Sequence, residues 1–331
     1  MVRYSLYWLI FIFTMSSQSF AQRIPEGTEW ISTHGYSKCI RLFNETTSVV
    51  LEPNCGGRVL EYSLNGHNVL LIDPRDDGWT IEKGTTPLGP CAGRFDFGPE
   101  TTTPSHPDLW LGRWMPEITG TRSARMTSAK DKVTGVQLTR EFTLAKNTSF
   151  LRCTQIITNV SDTTKQYFHW SRTFAEGNGI CVVPITPGSR FPKEYIIYGP
   201  GNVMNFRPDE HPNVRVRDGY LEIIGEPPHP KFGFDSSAGW FAYLMRSNIV
   251  FLKKFPVYPD RVYGEMAGLT ISIFYYKDLM TELEPIGPRE TLKPGESVSF
   301  SEDWWLFPYT FPEDRTVDLK ALEDYVMENS R

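Results

Sequence analysis

The stretch LEPNCGGRVLEYSLNGHNVL, residues 51–70, contains the pattern that decides the fold. Two largely apolar runs flank the dipeptide Asn65-Gly66. Asn-Gly favours a type I′ turn, whose backbone twist matches the twist of two paired antiparallel strands. The stretch therefore predicts a β hairpin that turns at residues 65 and 66.

The same strand pattern recurs along the rest of the chain. In residues 150–160, Leu151, Cys153 and Ile157 alternate with polar residues, which indicates a strand with one buried face. Comparable runs lie at residues 136–144, 179–185, 220–225, 239–245, 248–255, 269–276 and 297–307. Only residues 317–327 have helical spacing of apolar side chains. We predict an all-β protein of antiparallel sheets with a short C-terminal helix.

Two long segments, residues 74–116 and 187–212, lack clear strand patterns and are rich in Gly, Pro and Thr. Loops of this length in a compact β domain more often form part of a binding or catalytic site than serve only as surface connections. Strand patterns of the same type flank both segments, so neither is predicted to be a domain linker. We expect one domain over residues 22–331.

The first residues have the pattern of a secretory signal peptide. A cationic start, MVR, precedes a short apolar run from Tyr4 to Met15 and the small-residue sequence Ser19-Phe20-Ala21. We expect residues 1–21 to be removed and the mature protein to be periplasmic or secreted. The apolar run is shorter than the roughly 20 residues that a spanning helix needs, so no membrane span is expected in the mature chain.

The composition favours a small or neutral ligand over a nucleic acid. The formal net charge is −5, whereas phosphate backbones bind to basic surfaces. Aromatic residues make up 14% of the chain and include nine tryptophans, whose flat apolar rings suit the C–H faces of sugars. The five cysteines form no C-x-x-C pair, and no H-x-H or H-E-x-x-H spacing occurs. No metal site is predicted, and disulfide pairing is left open.

Four segments of the chain together resemble the galactose mutarotase-like superfamily. They are residues 51–70, GRFDFGPE at 93–100, YFHWSRTF at 167–174, and TELEPIGPRETLKPGESVSFSEDWWLF at 281–307. KFGFDSSAGWFAYL at 231–244 and LEPIGP at 283–288 are most similar to an uncharacterised exported group within it. The resemblance implies a two-sheet β-supersandwich with a sugar site and an aldose 1-epimerase-like activity that requires no cofactor.

The resemblance assigns proton transfer to His169 and Glu284. Ring opening of a sugar needs a base for the anomeric hydroxyl and an acid for the ring oxygen. Histidine, with an unperturbed pKa of about 6.5, can be that acid near neutral pH, and Glu284 would be the base. Residues 167, 169 and 171 share one face of a strand, and Phe168 and Trp170 take the other. His169 is therefore predicted to face the pocket, provided that the even-numbered face is core.

Five further residues are predicted to bind the ligand: Arg94, His106, Trp110, Arg172 and Lys231. Arg94 resembles the sugar-facing arginine of the superfamily, and Arg94 or Arg172 would hold two ligand oxygens with the guanidinium fork. The superfamily has a second histidine in a Leu-His-Gly-Gly motif, where this chain reads Trp-Leu-Gly at 110–112. That histidine is missing or has moved to His106, and Trp110 or Trp114 is expected to stack on the ligand.

Simpler interpretations remain open for these residues. His169 could be a core histidine, Glu284 could lie on a solvated strand edge, and Lys231 could be a surface lysine. Three functions are therefore kept: a carbohydrate epimerase or mutarotase, a non-catalytic glycan-binding module, and a glycoside-cleaving enzyme. The last needs two carboxylates roughly 5 to 10 Å apart across the sugar. The expected partner is a mono- or oligosaccharide, and the oligomeric state is left open.

Overall fold

The structure is a computed structural model that describes residues 24–84 and 86–331. The predicted signal peptide, residues 1–21, lies outside the described residues. The described chain is built mainly of β strands in two antiparallel sheets, one of 13 strands and one of 10. The predicted all-β, two-sheet antiparallel class is confirmed, and so is the short C-terminal helix.

The larger sheet contains strands from both halves of the chain. Its strands, numbered in chain order together with those of the smaller sheet, are β1 Thr28–Thr33, β2 Tyr36–Phe43, β3 Thr47–Glu52, β4 Arg58–Leu64, β5 His67–Asn68, β6 Gly93–Gly98, β11 Lys165–Glu176, β13 Ile196–Tyr198, β14 Met204–Asn205, β17 Lys231–Phe234, β20 Ile271–Tyr276, β21 Met280–Pro285 and β22 Glu290–Leu292. Their main order is β1-β2-β3-β4-β6-β11-β21-β20-β17-β13-β14. Strands β6, β11 and β21 are therefore neighbours in the middle of the sheet.

The smaller sheet is formed by the remaining strands. They are β7 Met115–Gly120, β8 Ser123–Thr127, β9 Val136–Leu144, β10 Leu151–Asn159, β12 Ile180–Pro184, β15 Val214–Arg217, β16 Tyr220–Ile223, β18 Trp240–Met245, β19 Ile249–Lys254 and β23 Ser297–Pro308. Their order is β15-β16-β12-β18-β19-β23-β10-β9-β8-β7. The final strand, β23, therefore lies between β19 and β10 in the middle of this sheet.

The two sheets pack face to face, and the largest hydrophobic core lies between them. Tyr62 of the larger sheet packs against Phe251 and Trp304 of the smaller one, with ring centroids 5.6 and 5.8 Å apart. All five cysteines are buried, and none forms a disulfide. Each sheet thus has an inner face against this core and an outer face.

The predicted hairpin is confirmed between β4 and β5. Its two turn residues, Asn65 and Gly66, have φ angles of 50° and 84°. A type I′ turn requires positive φ at both positions, which Asn tolerates and Gly adopts without strain. The turn thus forms where the Asn-Gly dipeptide predicted it.

The C-terminal helix, α2, Leu319–Asn329, covers the outer face of the smaller sheet. It begins two residues later than the pattern predicted, because Asp318 caps it by accepting a hydrogen bond from the backbone N–H of Ala321. Leu322 and Val326 pack in one cluster with Trp305. Among residues 24–84 and 86–331, no helix is both long and apolar enough to cross a membrane.

The two segments that lack strand patterns contain more structure than the sequence indicated. Strand β6 and a short helix, α1, Pro107–Trp110, lie within residues 74–116. Strands β13 and β14 lie within residues 187–212. The correction matters most for β6, because this strand pairs with β11 in the middle of the larger sheet.

Candidate functional site

Polar side chains collect on the outer face of the larger sheet, where β6, β11 and β21 lie side by side. Trp170 of β11 pairs with Asp96 of β6, and Arg172 pairs with Arg94. The register of β11 with β21 places Glu284 opposite Arg172. Since alternate residues of a strand share one face, these five side chains lie on the same side of the sheet.

Glu284 is a fully buried carboxylate of this face, with 0% of its surface exposed. The indole Nε1–H of Trp170 donates to its Oε2 at 2.6 Å, and the hydroxyl of Ser272 donates to its Oε1 at 3.3 Å. Burial raises the pKa of Glu284 to about 7, and repulsion by Glu282 adds to the rise. The charges of Lys231 and Arg172 partly offset both effects. Glu284 can therefore change protonation state near neutral pH.

Three aromatic rings and two cations alternate beside this carboxylate, and we call them the aromatic–cation stack. The Arg172 guanidinium lies 5.2 Å from the ring of Trp110 and 5.0 Å from that of Trp170. The Lys231 ammonium lies 4.9 Å from Trp170 and 5.3 Å from Tyr198. A cation at such distances is attracted to the ring face. The stack holds Trp110, Arg172, Trp170, Lys231 and Tyr198 in one row.

Carboxylates surround the two cations of the stack. Arg172 Nε donates to Glu282 Oε1 at 2.9 Å, and its other nitrogens lie 3.6 Å from Glu100 and 3.8 Å from Asp96. Lys231 Nζ lies 3.6 Å from Glu100. Both cations are thus neutralised by the protein itself.

His106 lies just before α1 and contacts the same face through Asp96. Its Nε2 is 2.9 Å from Asp96 Oδ1, and its Nδ1 is 2.7 Å from the carbonyl oxygen of Pro104. Burial opposes the charged form, but the hydrogen bond and the charge of Asp96 outweigh it and raise the pKa of His106. Because both ring nitrogens face acceptors, this environment suits the doubly protonated imidazolium.

Arg94 lies beside Trp110, at one end of the aromatic–cation stack. Its guanidinium is 5.1 Å from the ring of Trp110. Its Nε and Nη2 donate to the carbonyl oxygens of Cys91 and Gly89 at 3.4 and 3.3 Å. Among residues 24–84 and 86–331, no carboxylate lies within 4.0 Å of its guanidinium nitrogens. In this respect Arg94 differs from Arg172 on the neighbouring strand.

Several solved structures have the same architecture. A galactose mutarotase-like protein from Lactobacillus casei ATCC 334 matches with a TM-score of 0.57 at 9% identity, over 81% of this chain and 100% of that one. A candidate aldose 1-epimerase from Escherichia coli K12 matches with a TM-score of 0.57 at 12% identity, over 81% and 98%. A galactose mutarotase-like protein from Clostridium acetobutylicum gives 0.56 at 12% identity, over 85% and 98%. The chain has the galactose mutarotase-like fold.

Sequence comparison adds nothing to this likeness, because no family model and no curated protein matches the chain. Identities of 9% and 12% support a shared fold only. Any function on this mutarotase-like fold must therefore be argued from the side chains of the chain itself.

The prediction that His169 faces the pocket is wrong. In this mutarotase-like fold the odd-numbered residues of β11 face the inter-sheet core, and His169 is stacked between Phe95 and Phe300 at centroid distances of 5.8 and 5.7 Å. Its side chain is 1% exposed, and neither ring nitrogen has a well-placed hydrogen-bond partner among the described residues. Burial lowers the pKa of His169 to about 3, and nearby backbone of Val298 and Gln155 offsets only part of this. His169 is on the opposite side of the sheet from Glu284.

The structure brings the other six predicted site residues together and separates Trp114 from them. Arg94, His106, Trp110, Arg172, Lys231 and Glu284 all lie at the outer face of the larger sheet, linked by the contacts above. Trp114 is a core residue that is 1% exposed, and its Nε1–H donates to the carbonyl oxygen of Leu109 at 3.0 Å. Of the two loop tryptophans, Trp110 alone remains a candidate platform for a ligand.

Sequence reasoning missed Trp170, Ser272 and Tyr198. The signal for Trp170 was present, because strand alternation places residue 170 on the same face as Arg172, which was already assigned to the site. Tyr198 is buried, and its hydroxyl has no hydrogen-bond partner among the described residues. Ser272 and Tyr198 had no such signal, because their strands join the site only through the sheet order.

Proposed function

We propose that the protein binds a sugar on the outer face of the larger sheet and opens its ring in an aldose 1-epimerase-like reaction. The observation that carries the proposal is Glu284, a buried carboxylate with a pKa of about 7 next to the aromatic–cation stack. Aromatic rings suit the apolar faces of sugars. A proton-transfer group works best when its pKa lies near the operating pH.

Glu284 is suited to both halves of the reaction. Ring opening removes the proton of the anomeric hydroxyl, and closure on the other face of the carbonyl returns it. A carboxylate with a pKa near 7 can take that proton and give it back with little cost in either direction. The bonds from Trp170 and Ser272 fix its orientation, as a positioned base requires.

His106 replaces His169 as the acid in this proposal. The raised pKa of His106 supports the imidazolium near neutral pH, and its partner Asp96 lies on the same face as Glu284. Strands β6 and β21 flank β11, so their axes are about 10 Å apart. A sugar lying across β11 would therefore have His106 with Asp96 on one side and Glu284 on the other.

A non-catalytic glycan-binding module is the second candidate. It is favoured by the position of His169 in the core, which leaves the site without the histidine that the resemblance implied. It is also favoured because both carboxylate oxygens of Glu284 and both ring nitrogens of His106 already have hydrogen-bond partners within the protein. Under this alternative the same residues bind a sugar, but no proton is transferred.

Glu284→Gln tests the proposal. Polarimetry on freshly dissolved α-anomers should show wild-type acceleration of mutarotation and a rate lowered by about 10² to 10⁴-fold in the variant, with sugar binding largely retained. The wild-type rate should fall below pH about 7, because protonation removes the base. Glu117→Gln, a matched change at an exposed position of β7, should have no effect.

The two candidate functions give different results in this experiment. Binding by wild type without any acceleration of mutarotation over buffer contradicts the enzyme and leaves the glycan-binding module. An absence of binding to all neutral and acidic sugars contradicts both.

A further inference from the structure

Arg94 is a buried cation without a carboxylate partner among the residues that the structure describes. Its residue surface is 5% exposed. Its hydrogen bonds to Cys91 and Gly89 are long, at 3.3 Å or more, and its Nη1 makes none among the described residues. Burying an unpaired charge is costly, and such charges in proteins are usually paired.

The surroundings of Arg94 increase the local positive potential. Nη1 of Arg58 lies 2.8 Å from Cys91 Sγ, and Nη2 of Arg94 lies 3.5 Å from the same sulfur. In the described part of the chain, Glu52 is the one carboxylate paired with either guanidinium, and it lies 3.3 Å from Arg58. A thiol is only a weak acceptor. Glu52 therefore neutralises Arg58, and Arg94 gains no carboxylate partner from this group.

Other arginines of the chain show that this arrangement is particular to the ligand face. Arg172, directly opposite Arg94, is surrounded by three carboxylates. Arg140 also lacks an ion pair among the described residues, but it is fully buried on the inner side, where it bonds the carbonyl oxygens of Gly57 and Gly93. Arg94 alone of these combines a missing counter-charge with contact to Trp110, the candidate sugar platform.

We propose that the ligand is an acidic sugar whose anionic group pairs with Arg94, while its ring lies on Trp110 and its anomeric carbon faces Glu284. This inference rests on the proposed sugar site. A guanidinium fork matches the two oxygens of a carboxylate or of a phosphate. Both a uronic acid and a sugar phosphate supply this chemistry, whereas a neutral sugar would leave the buried charge of Arg94 unpaired.

Calorimetric titration with matched sugars tests the inference. Wild type is titrated with glucose, glucuronate and glucose 6-phosphate, and with galactose and galacturonate, at low and high salt. At least one acidic sugar should bind tenfold or more tightly than its neutral counterpart, and this ratio should shrink at high salt because the pairing is electrostatic. Comparison of the uronates with glucose 6-phosphate identifies whether the site binds a carboxylate or a phosphate.

Two variants and one control assign the effect to Arg94. Arg94→Gln should lower the affinity for the acidic sugar tenfold or more, so that its preference over the neutral sugar is lost. Arg94→Lys keeps the charge and should retain part of the preference. Arg113→Gln, a change at an exposed arginine after α1, should retain all of it. Thermal melts of each variant confirm folding.

The failure of this inference differs from the failure of the proposed function. Equal affinity of wild type for acidic and neutral sugars overturns the role of Arg94 and leaves the sugar site intact, and this result needs no variant. Binding of none of these sugars overturns the sugar site itself.

Discussion

His169 shows how far the environment of one residue decides its role. Its pKa is lowered to about 3 by burial, so it is neutral at pH 7. Between pH about 6.5 and 3 the unfolded chain binds a proton that folded His169 does not, and stability falls as the pH falls through this window. We predict that His169→Leu, a change of similar volume, leaves mutarotation and sugar affinity unchanged and removes this acid sensitivity.

Denaturant unfolding at pH 6.5 and 4.5 measures the effect. Wild type should lose about 2 to 3 kcal/mol more than the variant over these two pH units, at about 1.4 kcal/mol for each unit. Loss of mutarotation in a folded His169→Leu protein, with equal acid sensitivity of both proteins, would show that the ring reaches the ligand.

Strand alternation correctly predicted the shared face of Glu282 and Glu284, but the prediction for β11 did not follow the same rule. Glu282 and Glu284 share a face in the structure, as a period of two residues requires. His169 and Arg172 were assigned to the same site although the same period separates them. Arg172 carries a charge that needs solvent or partners, so the face of Arg172 was the stronger guide to the pocket.

At the scale of elements, α1 places Trp110 over the site. The backbone N–H of Trp110 donates to the carbonyl oxygen of His106, whose ring is fixed by Asp96. We predict that Trp110→Ala weakens sugar binding by about 1 to 3 kcal/mol, the range for a buried anchor residue. Calorimetry on Trp110→Ala and on Trp30→Ala measures the difference.

Trp30 is a matched control because it is 45% exposed and lies on β1, at the edge of the larger sheet. Its replacement should leave the affinity unchanged. Equal affinities of wild type and a folded Trp110→Ala protein would show that Trp110 has a structural role and does not bind the sugar.

Elements with one buried face were predictable, and short strands buried on both faces were not. The pattern at residues 151–159 alternates and formed β10 as expected. Every residue of β6 is buried, including Arg94 and Asp96, because loops cover its outer face. Polar residues in such a strand interrupt the apolar run without marking a solvent face. At the end of β6, Gly98 and Pro99 then make the sequence pattern look like a loop.

At the scale of the whole molecule, the two outer faces have different coverings. Helix α2 covers the smaller sheet with apolar side chains, whereas the larger sheet is covered by loops and by the charged site. The sequence predicted the sheets and the helix. It did not predict strand order, because neighbours in a sheet are chosen by packing between segments far apart in the chain.

Export of the protein is a prediction from the first residues of the sequence. We expect the mature protein to begin near Gln22 and to lie in the periplasm or outside the cell, because the first residues have the three-part pattern of a signal peptide. N-terminal sequencing of the soluble protein, recovered by osmotic shock or from the medium, measures the start. An intact Met1 on the soluble protein would contradict the prediction.

The order of strands in the larger sheet also governs when the site can exist. Strands β6, β11 and β21 touch in space, but β21 is made long after the other two as the chain is synthesised from its N-terminus. Until residue 285 has left the ribosome, Trp170 and Arg172 have no Glu284 and no Glu282 to pair with. A prematurely terminated chain that stops before β21 therefore lacks Glu282 and Glu284, so the proposed sugar site is complete only after most of the chain has been synthesised.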